Sequence, residues 1–230
     1  MFSLREVAQK IDHTLLKANA TEKEYVQLCC EAKGYRFKAV CVLPYYVPFC
    51  VEQLKDSAVV VATVVGFPLG ANSFEVKAFE AEKAFLAGAT EVDMVLNLGA
   101  LKDGKIKDVL LDIQQVVEVA KTFTNRLVKV IIETGLLTVT EKRLACQLAV
   151  EAGADFVKTS TGFNSGGATV DDVLFMVSTV GKKAKVKAAG GIRTWTQAEK
   201  LLRAGANRLG TSRGKDIMIQ YQEESKSKKF

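Results

Sequence analysis

One pattern recurs along the chain and limits the folds that it can adopt. An amphipathic stretch ends at a glycine, and a short run of apolar and β-branched residues follows. Three copies read Ala-Gly-Ala, at residues 87–89, 152–154 and 204–206, and a looser copy is Ala-Lys-Gly at residues 32–34. Glycine readily takes the left-handed conformation that ends a helix. Each copy therefore predicts a helix that ends at its glycine and leads into a strand.

Eight runs are predicted as strands, and helical patterns separate most of them. The runs are residues 11–15, 37–42, 59–65, 92–96, 127–133, 156–157, 185–189 and 208–209. Strands that alternate with helices pair in parallel. Eight units in 230 residues predict one α/β domain, a (β/α)8 TIM barrel over residues 1–230, with a flexible basic tail from about residue 222. A doubly wound sheet is disfavoured because no Gly-rich nucleotide-binding turn is present.

Composition excludes several classes of protein. The longest apolar stretch, residues 58–71, contains Gly66, Pro68 and Gly70 and is too short to span a bilayer as a helix. Charged residues interrupt the N-terminus where a signal peptide needs an apolar segment. Five dispersed cysteines predict free thiols in a reducing compartment. We therefore expect a cytoplasmic protein that does not enter membranes.

Neither nucleic acid nor metal is an expected partner. The net charge is +6, but the end of the chain alone contributes Lys226, Lys228 and Lys229, and no nucleic-acid-binding motif accompanies the charge. The single histidine, His13, excludes a multi-histidine metal site and is predicted to be structural.

Three predicted strands carry a charged residue where a barrel interior should be apolar. These residues are Asp93, Lys158 and Lys187, and each follows a valine. Because side chains alternate along a strand, valines that face the helices turn the three charges toward the barrel axis. A structural ion pair explains any one of them, but three together favour chemistry.

Two neighbouring lysines predict a nucleophilic amine. Ammonium groups about 6 Å apart repel by roughly 3 kcal/mol at an effective dielectric constant near 20, which lowers the pKa of one of them by about two units. A neutral amine attacks a carbonyl to give an imine, and an imine permits cleavage of an adjacent carbon–carbon bond.

Two glycine-containing loops predict a phosphate site. Gly190 and Gly191 follow the seventh predicted strand, and Gly210 and Ser212 lie at the end of the eighth. Loops after strands 7 and 8 commonly bind phosphate in TIM barrels. A phosphorylated carbonyl compound is therefore the expected small-molecule substrate.

Six segments resemble the deoxyribose-phosphate aldolases, a family of class I aldolases. They are residues 11–16, 66–70, 91–97, 156–163, 185–193 and 209–212. The resemblance implies a lyase without a cofactor that cleaves 2-deoxy-D-ribose 5-phosphate to acetaldehyde and D-glyceraldehyde 3-phosphate. It also implies a homo-oligomer.

The resemblance also implies roles for individual residues. Lys158 is the Schiff-base lysine, Asp93 and Lys187 exchange protons with the intermediates, and Thr161 contacts the substrate. The phosphate positions are Gly190, Gly191, Gly210 and Ser212.

Some positions depart from the family, and others stay open. Phe163 stands where some members have a lysine, Arg213 where some have a serine, and Phe230 where some have a terminal tyrosine, for which Tyr221 is a weak substitute. Whether Asp12 or Cys41 lines the cavity is left open. Trp195 is expected to pack a helix.

Two alternatives to this function also remain. One is another phosphosugar aldolase or a transaldolase-like enzyme, and the other is a catalytically silent phosphosugar-binding barrel.

Overall fold

In the computed structural model, which describes residues 2–164 and 166–227, eight parallel strands form one closed barrel in chain order. Strand β8 pairs with β1, with Gly210 opposite Asp12, and this pairing closes the barrel. The predicted (β/α)8 TIM barrel is confirmed. The strands are β1 (Ile11–Leu15), β2 (Ala39–Val42), β3 (Val60–Val65), β4 (Glu91–Val95), β5 (Leu127–Ile131), β6 (Phe156–Lys158), β7 (Lys185–Ala189) and β8 (Arg208–Thr211).

Helices surround the barrel, and no described helix is both long and apolar enough to cross a membrane. Their buried faces pack on the outer side of the strands, where they form the main hydrophobic core. Among the described residues the helices are α1 (Leu4–Ala8), α2 (Glu22–Tyr35), α3 (Val47–Leu54), α4 (Phe74–Leu86), α5 (Leu98–Lys102), α6 (Ile106–Lys121), α7 (Val139–Glu151), α8 (Val170–Val180), α9 (Trp195–Arg203) and α10 (Gly214–Ser227).

Glycine ends three helices as predicted. Gly88, Gly153 and Gly205 follow α4, α7 and α9 with φ of +101°, +87° and +105°. The prediction that the looser copy ends a helix at Gly34 was wrong. Helix α2 continues through Gly34, and Arg36 takes the left-handed conformation instead. Tyr35, the last residue of α2, stacks on Phe37 across this turn, with ring centroids 5.5 Å apart.

The predicted tail is helical as far as the structure describes it. Residues 222–227 extend α10, which Tyr221 anchors by donating a hydrogen bond to the Phe2 carbonyl at 2.5 Å. The ring of Tyr221 meets Trp195 edge to face at 4.8 Å, so Trp195 packs between helices as expected. Residues 228–230 of the predicted tail, including Phe230, lie outside the described residues.

The barrel interior has an apolar part and a charged part. Under β1 to β3 a small cluster contains Ala39, Cys41 and Ala62, separate from the outer core. Cys41 thus faces inward and is fully buried. Strands β4 to β8 and Asp12 of β1 contribute buried charges instead. The valines that precede Asp93, Lys158 and Lys187 belong to the outer core, as the alternation predicted.

Candidate active site

The carboxylate of Asp93 lies at the centre of the charged interior. Its Oδ1 accepts a hydrogen bond from Lys129 at 2.8 Å. Its Oδ2 accepts hydrogen bonds from both Lys158 and Lys187 at 2.7 Å. The two lysine nitrogens are thus no more than twice that distance apart. The structure therefore brings together the three residues that the alternating pattern singled out.

Four further charged side chains extend this cluster toward the N-terminal ends of the strands. Lys187 lies 2.5 Å from Asp12, and Lys129 lies 2.6 Å from Glu91. Arg208 donates hydrogen bonds to both Asp12 and Glu91. The cluster contains four cations and three carboxylates, so it keeps an excess of one positive charge. Asp12, which the sequence left open, belongs to this cluster and does not line the cavity described below.

Neighbouring charges outweigh burial in setting the protonation of the cluster. Burial would raise the pKa of Asp93, but Lys129, Lys158 and Lys187 hold that pKa well below its usual range. Burial likewise opposes Arg208 and Lys187 at Asp12, whose pKa falls to about 2. For Lys187, burial would lower the pKa, but Asp12 and Asp93 outweigh it and raise the pKa above its ordinary value. Lys187 is therefore held protonated, which suits a proton donor. The repulsion between Lys158 and Lys187 that the sequence predicts is therefore offset at Lys187 by a second carboxylate, that of Asp12.

A cavity of about 310 Å³ opens at the C-terminal ends of β1, β6, β7 and β8. Of the seven charged side chains in the cluster, all of them described, Lys158 alone lines it. Its side chain is 4% exposed, whereas those of Asp93, Lys129 and Lys187 are fully buried. A small molecule in the cavity can therefore reach the amine of Lys158 and neither of the other two lysines.

The same cavity contains the predicted phosphate loops. Gly190, Gly191, Gly210 and Ser212 all line it. Within residues 2–164 and 166–227 no acceptor is bonded to the backbone N–H of Gly191 or Ser212. Two free N–H donors at the rim of a polar cavity suit an anion. Arg193 also lines this part of the cavity.

Two of these glycines are also required for space. Gly190 has φ of +92°, and a Cβ there would lie 3.1 Å from the Cα of Gly167. A Cβ on Gly210 would lie 3.1 Å from Cε of Lys187. Gly210 therefore makes room for Lys187 as well as bordering the cavity.

Thr161 lines the cavity, but its hydroxyl is already bonded on both sides. It donates to Oε2 of Glu133 at 2.5 Å and accepts from the N–H of Phe163 at 3.1 Å. Glu133 also accepts from the N–H of Thr161 and from Asn164. Glu133 lies just after β5 and has left-handed backbone, with φ of +52°. Its carboxylate thus holds the loop after β6 in place.

Among the described positions where the chain departs from the family that it resembles, Phe163 alone lies at the cavity. Phe163 lines the cavity mouth, is 56% exposed and meets Phe67 edge to face at 5.1 Å. Arg213 and Tyr221 do not line the cavity; Arg213 pairs with Asp216 at 3.3 Å.

His13 bonds to Glu31 at 2.7 Å and is buried, as expected of a structural histidine. Cys41 does not line the cavity.

Four members of the site were missed by sequence reasoning. Lys129 carried the same signal as Asp93, a charge that follows a valine in a predicted strand. Glu91 and Arg208 begin their strands, where a charge usually indicates contact with solvent. Glu133 gave no signal, because its partner Thr161 lies 28 residues away in the chain.

Comparisons with known proteins agree with one another. The model of the DeoC/LacD family of aldolases matches residues 6–219. A deoxyribose-phosphate aldolase from Carboxydothermus hydrogenoformans is 60% identical over 219 residues, which cover 95% of this chain and 96% of the relative.

Solved structures are also similar. A putative deoxyribose-phosphate aldolase from Coccidioides immitis has a TM-score of 0.92 at 43% identity, covering 96% of this chain and 87% of its own. The tetrameric deoxyribose phosphate aldolase from Aeropyrum pernix has a TM-score of 0.90 at 34% identity, with coverage of 96% and 93%.

Proposed function

Because the chain belongs to the DeoC/LacD family of aldolases, we propose that it cleaves 2-deoxy-D-ribose 5-phosphate reversibly to acetaldehyde and D-glyceraldehyde 3-phosphate. It is a class I aldolase, a lyase that works through a Schiff base. The observation that carries the assignment of its nucleophile is that Lys158 alone, among the charged cluster, borders the cavity.

The reaction begins with the amine of Lys158. The neutral amine, which forms by giving a proton to water in the cavity, attacks C1 of the open-chain sugar, with Oδ2 of Asp93 2.7 Å from the nitrogen. The carbinolamine loses its oxygen as water and becomes an iminium ion. This cation supplies the electron sink, so the proposed reaction needs no metal or organic cofactor.

Cleavage then moves electrons into the iminium ion. A base removes the proton of the C3 hydroxyl, the C2–C3 bond breaks, and C3 becomes the aldehyde of glyceraldehyde 3-phosphate. The enamine left on Lys158 takes a proton at C2, and hydrolysis of the new iminium ion releases acetaldehyde. Asp93 and Lys187 exchange these protons, through water where the reacting atom lies beyond their reach.

The phosphate end of the substrate occupies the glycine loops. The free N–H groups of Gly191 and Ser212 and the guanidinium of Arg193 bind it, and Gly190 and Gly210 keep the loop open. Thr161 contacts the substrate through its carbon atoms, since its hydroxyl is bonded to Glu133 and Phe163.

Release of acetaldehyde from 2-deoxyribose 5-phosphate tests this function. Coupling the product to an alcohol dehydrogenase measures it continuously. Turnover would exclude a catalytically silent barrel, while ribose 5-phosphate and a ketose phosphate as parallel substrates would expose a transaldolase-like enzyme. An imine that forms on Lys158 without acetaldehyde release would contradict the proposal.

The whole chain, residues 1–230, acts as a single aldolase domain in this proposal, and it assembles with further copies. The Aeropyrum relative is tetrameric, and helix α4 presents an apolar stripe of Val76, Phe79 and Leu86, with exposures of 44%, 57% and 62%. Sedimentation equilibrium should give more than one subunit, and Phe79→Lys should weaken the assembly. A monomeric wild-type protein at micromolar concentration would refute the proposed assembly.

The five free thiols support a cytoplasmic site of action.

A further inference from the structure

A second cavity, of about 440 Å³, opens at the other end of the barrel. Lys10 and Lys38 directly precede β1 and β2, and Lys185 and Arg208 are the first residues of β7 and β8. All four line this cavity. Because the strands are parallel, their N-terminal ends lie together, opposite the cavity that contains Lys158.

These four cations form a continuous arc. Strands β7, β8, β1 and β2 are neighbours in the closed barrel, and each begins at or directly after a basic residue. Of the other four strands, only β5 begins directly after a basic residue, and that residue, Arg126, lines a different cavity. The basic residues are therefore concentrated on one half of the rim, which we call the N-terminal basic rim.

The three lysines of the N-terminal basic rim are not paired with carboxylates, although Glu6 attracts Lys10 at longer range. Within residues 2–164 and 166–227 no hydrogen bond or ion pair holds the ammonium of Lys10, Lys38 or Lys185. Lys185 lies over the ring of Phe156, 5.7 Å from its centroid, and this contact leaves its charge in place.

Glu6 is the one acid among the residues that line this cavity, and its carboxylate accepts from the backbone N–H of Ser3. Arg208 is 5% exposed and is balanced by Asp12 and Glu91. The opening therefore carries an excess of positive charge.

We propose that this cavity binds a small phosphorylated anion. Like charges gathered around one opening repel, and an anion between them removes that repulsion. Lysine ammonium groups bind phosphate as point charges. The cavity volume lies within the range of small-molecule sites, and Arg208 forms a fixed basic wall because its carboxylate partners hold it.

Pyrophosphate binding, measured by isothermal titration calorimetry at constant ionic strength, tests the proposal. Every protein compared in this titration carries Ser212→Glu. This substitution places a carboxylate in the cavity that contains Lys158 and removes the anion site there. In this background the triple variant Lys10→Gln, Lys38→Gln, Lys185→Gln should bind at least about 10-fold more weakly.

A matched triple variant controls for net charge. Lys23, Lys107 and Lys200 are exposed elsewhere on the surface, and their replacement by Gln should leave binding unchanged. Glu6→Gln should tighten binding about 2-fold to 3-fold, since it removes the only acid of the lining and Gln can still bond to Ser3. Circular dichroism without ligand checks folding, and the single exposed change Lys185→Gln, expected to weaken binding about 3-fold, replaces a triple variant that does not fold.

Three results would overturn the proposal. One is that Ser212→Glu alone abolishes all pyrophosphate binding, which would leave the cavity at Lys158 as the only anion site. The second is that the control triple weakens binding as much as the rim triple, which would indicate diffuse attraction. The third is that Glu6→Gln has no effect or weakens binding.

Discussion

Replacing Asp93 with asparagine should destabilise the protein strongly while changing almost no volume. The carboxylate is fully buried and accepts hydrogen bonds from Lys129, Lys158 and Lys187 within 2.8 Å. An amide keeps one acceptor oxygen but turns N–H donors toward at least one ammonium group. It also removes the charge that balances three lysines, so the cluster gains one uncompensated positive charge.

The expected loss follows from the burial of those charges. Removing one partner of a buried ion pair costs about 3–5 kcal/mol, because the other charge stays buried without compensation. For a protein of this size each 1 kcal/mol shifts the melting temperature by about 2–4 °C. Asp93→Asn should therefore melt about 6–20 °C below the wild type.

Urea denaturation followed by circular dichroism measures the difference, and Asp103→Asn is the control. Asp103 pairs with Lys105 at 3.1 Å, but its side chain is 62% exposed. An exposed pair contributes about 0–1 kcal/mol. The control should thus stay close to the wild type in its free energy of unfolding.

Acidification gives a second signature. The folded pKa of Asp93 lies well below its ordinary value of 3.8, so its contribution to stability is complete above 3.8 and is lost as pH falls toward the folded pKa. The gap between wild type and Asp93→Asn should be full at about pH 7 and should narrow below 3.8. A variant as stable as Asp103→Asn, or a gap that widens in acid, would refute the reasoning.

Three further predictions concern single residues. Lys187→Arg keeps the positive charge, but its guanidinium has a pKa above about 12 and does not release a proton. Imine trapping should therefore survive better than acetaldehyde release, and turnover at the wild-type rate would rule out proton exchange by Lys187. Arg193→Gln should raise KM for 2-deoxyribose 5-phosphate about 10-fold and leave kcat/KM for unphosphorylated deoxyribose unchanged, and equal losses on both substrates would exclude a phosphate contact. In the native protein an aromatic disulfide reagent should titrate one thiol quickly, the exposed Cys30, while Cys41 reacts only on unfolding because burial and the charge of Asp93 raise its pKa; rapid modification of Cys41 would contradict its placement.

Much of the fold was predictable because its signals are local. Glycines at the ends of α4, α7 and α9 take left-handed backbone, as their position in the repeat required. The end of α2 was not predictable in this way, because Arg36 takes the left-handed conformation that the glycine pattern assigned to Gly34. Likewise, the composition of residues 222–227 indicated an exposed tail, whereas those residues extend a helix that Tyr221 anchors to Phe2.

The candidate site was predictable only as far as alternation along a strand reached. Parity placed Asp93, Lys158 and Lys187 on one face, and it would have placed Lys129 there too. It could not show that Asp12 also balances Lys187, because that pairing crosses from β7 to β1. The protonation of Lys187 depends on this pairing, so it required the tertiary structure.

Borohydride reduction in the presence of 2-deoxyribose 5-phosphate, followed by peptide mass mapping, tests the central assignment most directly. The account predicts one covalent adduct, on Lys158, and none in Lys158→Ala, because Lys158 is the lysine of the cluster that reaches the cavity. An adduct on Lys187 or Lys129, or one that persists in Lys158→Ala at native stoichiometry, would contradict it.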